Sequence, residues 1–174
     1  MSNVSFTELD PFNRAFFETY LSKMRFLEED WGFAKHVDPS YYGSLLLYTK
    51  GRFAIMFSFE LRDNRVYLRM QQVDTAIPDV FPPEAFPDVY SRIQDPLFEL
   101  FLRLPLREEY QQFFSKAERK RLEQLIELAV VQRDVEAARA VLEKEAEFHA
   151  YILRKYQPQI LQVVEAASAE SGEA

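Results

Sequence analysis

The chain has no cysteine among its 174 residues. Disulfides, thiol nucleophiles and sulfur-ligated metals or clusters are therefore excluded. Glycine is nearly as scarce, with 4 in all, too few to assemble a glycine-rich phosphate loop. No serine stands in a Gly-x-Ser-x-Gly setting, so the hydrolase elbow is missing as a signal. No apolar run approaches the roughly 20 residues that a membrane helix needs. Met1 to Asp10 shows no basic segment leading into an apolar stretch, so no signal peptide is expected. Positive charge is also in deficit: 21 basic against 28 acidic side chains leave a net charge of −7. An acidic surface repels phosphate backbones and speeds the capture of a basic partner. The expectation is a cytoplasmic protein that binds neither membrane nor nucleic acid.

What the chain does have is aromatic bulk. With 16 Phe and 9 Tyr it can fill a substantial core in one domain of ordinary size. Asp10 followed by Pro11 reads as a helix start, and Phe12, Phe16, Tyr20, Met24 and Leu27 recur at helical spacing up to Gly32. This predicts a helix over 11–30. Alternation then takes over. Phe33 to Val37 and Ser44 to Thr49 read as strands, as do the series Phe53, Ile55, Phe57, Phe59, Leu61 and Val66, Leu68, Met70. Turn signals at Asp38-Pro39-Ser40, Lys50-Gly51 and Asp63-Asn64 separate them. The product is an antiparallel meander with one face on the core.

Pro78, Pro82, Pro83 and Pro87 then block both helix interiors and central strands. Phe81 and Phe86 among them predict an ordered crossover that packs against the domain. Helical periodicity follows over Tyr90 to Leu104, with Pro96 as a start or kink. A capping box at Ser115-Lys116-Ala117-Glu118 opens the next helix, and Asp134 caps another after a break near Gln132-Arg133. Pro158 kinks or restarts the last one. The predicted fold class is α+β: an N-terminal helix on a three- to four-stranded antiparallel meander, then a helical C-terminal half with an antiparallel helix pair. As a single domain, 1–174 divides into helix plus meander (1–75), proline-rich crossover (76–88), helical half (89–168) and frayed tail (169–174). Residues 76–174 hold 18 acidic and 12 basic side chains against 10 and 9 in residues 1–75, so the helical half supplies nearly all the acidic field.

Candidate chemistry is thin. Glu145 and His149 lie four apart on one helix face, the spacing of a shared divalent metal, but no second matching pair exists. They are expected to be an exposed hydrogen-bonded pair. Acidic groups at Glu28-Glu29-Asp30, Glu108-Glu109 and Glu143, Glu145, Glu147 fall on amphipathic faces and are expected to be solvated. No catalytic, metal-binding or cofactor-binding residue is assigned, and no cofactor is expected. Arg65, Tyr67 and Arg69, with Gln71, point to one side of the last strand. Arginine and tyrosine are favoured at interfaces, so the first three are the candidate partner-binding residues. A merely polar outer face stands beside that reading. Trp31, Tyr41 and Tyr42 gather at the helix-to-strand junction, where aromatics usually plug a core end.

Over roughly residues 26–70 the chain carries Phe26-Leu27, Gly32-Phe33, Tyr42-Gly43 and a basic hairpin from Arg52 through Arg69. In these features it resembles small uncharacterised bacterial proteins, some of them similar to immunity proteins of bacterial toxin systems. The resemblance implies a protein that neutralises a toxin by covering its active surface. The functional expectation is a non-catalytic protein-binding module of that type, acting by steric cover and acidic complementarity toward a basic protein. An enzyme or small-ligand binder with a pocket between sheet and helices is the alternative. A structural subunit that self-associates, as a homodimer for example, is a third.

Overall fold

Asp10 caps α1 (Pro11–Lys23): its carboxylate accepts the amides of Phe12 and Asn13, and Pro11 takes the first helical position. The computed structural model describes residues 6–39, 44–93 and 104–169. The single helix predicted over 11–30 is broken in two. Met24 leaves helical geometry at φ −96° and ψ 7°, and α2 (Arg25–Glu29) restarts after it. No glycine or proline marks this break. Met24 is fully buried, and its seat in the core overrides local helix preference. Gly32, at φ +71°, supplies the left-handed residue that ends the run.

Four antiparallel strands follow in chain order: β1 (Ala34–Asp38), β2 (Ser44–Lys50), β3 (Phe53–Glu60) and β4 (Arg65–Gln72). Gly51 and Asn64 take positive φ in the two hairpin turns β2–β3 and β3–β4. Phe57 lies opposite Leu46 on one side and Leu68 on the other, so the apolar sets of three strands share a face. Helix α1 packs on that face, with Phe16 stacked on Phe59 at 5.4 Å and Tyr20 against Phe57 at 5.3 Å. Trp31 is buried at its end, as expected of a core plug. Tyr41 and Tyr42 lie outside the described residues.

The other face is covered too, which corrects the expectation of a half-exposed sheet. Leu45, Leu47, Ala54 and Met56 pack under Val73, Ile77, Phe86, Val89 and Ile93. The proline-rich segment is thus an ordered strap. Val73 and Ile77 donate to the carbonyls of Arg52 and Gly51, Phe81 stacks on His36 at 4.2 Å, and α3 (Phe86–Ile93) closes the cover. Among the described residues, Tyr67 and Arg69 leave the β4 end of this face exposed. The continuation of the helix expected over Tyr90 to Leu104, with Pro96, falls outside the described residues beyond Ile93.

Helix α4 (Leu106–Phe113), whose bounds the sequence did not mark, leads to α5 (Lys116–Val131) through the Ser115–Glu118 capping box. Arg133 turns the chain at φ +55°, and Asp134 caps α6 (Val135–Lys155), which folds back along α5. Helix α6 also packs on α1 and touches β4, so it is enclosed on several sides. Helix α7 (Gln157–Ala169) starts after Tyr156, with Pro158 in its first turn, and reaches the β2–β3 turn. No helix among the described residues is long and apolar enough to cross a membrane.

Candidate functional site

A cleft of about 820 Å³ opens between the first half of β4, α4, the start of α5 and the middle of α6. Its strand wall is Arg65 to Leu68, its floor is Tyr110, Glu145, Phe148 and His149, and its far rim is the α4–α5 corner. Apart from Tyr110, the floor comes from α6, where Glu145 reaches Val66 of β4, His149 faces Phe57 of β3 and Phe148 packs on Tyr110 of α4.

Glu145 and His149 are both buried, not the exposed pair expected from their spacing. The helix face that carries them is solvated only until α1 and β4 pack on it. They do not bond each other. Glu145 Oε2 accepts the Val66 amide at 3.1 Å, and His149 Nδ1 is 2.9 Å from the Tyr20 hydroxyl. Burial raises the Glu145 carboxyl to about 7, against smaller opposing effects of Arg65 and the Val66 amide. Burial lowers His149 to about 4, so its ring is neutral at pH 7. Burial, aided by Glu145, holds the Tyr20 phenol well above its ordinary value, so it too is neutral.

Glu109 likewise departs from the solvated face predicted for it. Its Oε1 accepts from Lys155 Nζ at 2.6 Å and from the Tyr156 hydroxyl at 2.7 Å, and these bonds hold its carboxyl below the ordinary value. This joint ties α4 to the end of α6. No three His, Asp or Glu side chains among the described residues converge as a metal site.

The cations decide the character of the cleft. Thirteen of the described Lys and Arg side chains have a carboxylate, a backbone carbonyl or an aromatic ring as partner. Seven of the described ones form no ion pair or hydrogen bond: Arg65, Arg69, Arg107, Lys116, Arg119, Lys120 and Arg121. Five of those seven line this one cleft, where the only acids among the described residues are Glu123 and Glu145. Compared with protein-family models, curated proteins and solved structures, the chain matches none.

Of the residues singled out in the sequence, Arg65 and Tyr67 stand on the cleft wall, while Arg69 is exposed farther along β4 and Gln71 is buried. The cations across the cleft were missed because total charge hid them. Their signal is local. Lys116, Arg119 and Lys120 sit at i, i+3 and i+4 on the first turns of α5, where the helix dipole favours acids and disfavours cations by roughly 0.3–1 kcal/mol each.

Proposed function

We propose that the protein is a non-catalytic binding module that takes an acidic stretch of a partner protein into the cleft between β4 and the α4–α5 corner. The observation that carries this reading is the gathering of five unpaired cations in one cleft of a chain whose net charge is −7. Cations grouped this way repel one another and oppose the helix dipole, a cost that an anionic ligand offsets. Tyr67, Tyr110 and Phe148 add aromatic surface suited to a peptide. The sign is the reverse of a partner chosen by the overall acidic field. Neutralisation of a bound toxin, the immunity-type role, would be one instance of such binding.

A fluorescent oligo-glutamate peptide tests it. Binding should weaken as salt rises from about 50 to about 200 mM. The double variant Arg119→Glu/Lys120→Glu should lose about tenfold in affinity, because two rim charges change sign. Equal binding by the double variant, or no binding at all, refutes the reading. Preferential binding of oligo-lysine restores a basic partner.

One observation favours a different class. Glu145 titrates at about 7 inside a cleft, which is where a general acid or base is poised. Turnover of a small anionic metabolite that Glu145→Gln abolishes would establish an enzyme instead.

A further inference from the structure

The strand wall of the cleft is also a sheet edge with no neighbouring strand among the described residues. Strand β4 is the last in the order β1-β2-β3-β4 and runs for 8 residues. Val73 donates to the Arg52 carbonyl at 2.8 Å, which fixes the alternation: odd-numbered residues of β4 bond to β3, and even-numbered ones turn their amides outward. One of these outward amides, at Val66, is taken by Glu145 Oε2. The next, at Leu68, has no acceptor among the described residues. An edge of this length is ordinarily shielded, because its unpaired amides and carbonyls are a template for another chain.

Resting on the reading of the cleft as the site of an acidic protein segment, we infer that the segment binds in extended form as a fifth strand along β4. Its backbone pairs with Val66 and Leu68, and its acidic side chains meet Arg65 and the cations of the α4–α5 corner. Glu145 marks the geometry. Its carboxylate oxygen stands where the carbonyl of a pairing strand stands, at hydrogen-bond distance from the Val66 amide. In the free protein it guards the edge, and the docked segment replaces it there. Two interactions then select the occupant. The edge requires an extended backbone with its amides intact, and the unpaired cations require acidic side chains. A helical ligand satisfies only the second.

The test uses three probes on the whole chain: a fluorescent ten-residue peptide of alternating Glu and Val, its fully N-methylated counterpart, and the same alternation with Lys for Glu. The Glu-Val peptide should bind at least ~tenfold more tightly than either of the others, since one has lost its backbone donors and the other its charge. Amide exchange at Leu68, read by NMR, should slow by at least ~tenfold when the peptide is bound. Equal affinity of the Glu-Val and N-methylated peptides, with Leu68 exchange unchanged, overturns strand addition and leaves the acidic-segment reading standing. Failure of both acidic peptides to bind, with Lys-Val binding in their place, overturns both together.

Discussion

Glu145→Gln should make the protein more stable in neutral and alkaline solution while leaving it unchanged in mild acid. A glutamate carboxyl ordinarily titrates at 4.5, and burial raises Glu145 to about 7 in the folded chain. In the unfolded chain it returns to the ordinary value. Between those two pH values the folded state holds this proton more tightly, so stability falls as pH rises through the window. At about 1.4 kcal/mol for each pH unit, the full cost is on the order of 3 kcal/mol and is complete above pH 7. Glutamine has no charge to bury, and its side-chain oxygen can still accept the Val66 amide. The variant should match the wild type near pH 4.5 and exceed it by roughly 2–3 kcal/mol at pH 8. His36 and His149 act in the opposite direction. Burial lowers both from 6.5 to about 4, so the stability they contribute is lost as pH falls through that range. The wild type is therefore most stable between about pH 6 and 7, and subtracting its curve from that of the variant cancels the histidines. Urea unfolding at a series of pH values, followed by circular dichroism, measures both curves. Two curves that run parallel from pH 5 to 8 would refute a buried, proton-retaining Glu145.

Two further perturbations probe the core behind the cleft. Phe57 is fully buried between Tyr20, Tyr48 and His149, at 5.3, 6.2 and 5.9 Å between ring centres, so Phe57→Ala should cost about 3–5 kcal/mol. An unchanged melting temperature would mean that the strand register is wrong. Tyr20→Phe removes the partner of a ring nitrogen on buried His149, and thermal unfolding should report a loss of about 1–3 kcal/mol. A neutral result would show that His149 finds another partner, or that the two side chains are not in contact.

Nearly every element boundary that depends on a few neighbouring residues was legible in the sequence. Asp10-Pro11, Ser115 with Glu118, and Asp134 each satisfy amides within three residues of themselves. The alternation of Phe53 to Phe59 places one whole face of a strand, and the turns at Gly51 and Asn64 then bring β2, β3 and β4 into register. Helix α4 was not legible. It starts after Pro105 without a side-chain cap and is held by Glu109 reaching Lys155 and Tyr156, 46 and 47 residues away. The Met24 break was hidden for the same reason, since packing and not glycine or proline produces it.

The candidate site divides along the same line. Arg65, Tyr67 and Arg69 were visible as an arginine and tyrosine set on one side of the last strand, and a basic run at Lys116 to Arg121 opens a helix in the sequence. That the two lie across one cleft, with five cations there against Glu123 and Glu145, follows only from α5 and β4 coming together on α6. The fate of Glu145 and His149 turned most completely on tertiary structure. Four-residue spacing puts them on one face of α6, but spacing says nothing of what covers that face. Tyr20 lies 129 positions from His149 and Val66 lies 79 from Glu145. Contacts over such separations form when whole elements pack, so sequence determined which residues share a surface, and the packing of α1 and β4 decided that this surface is buried.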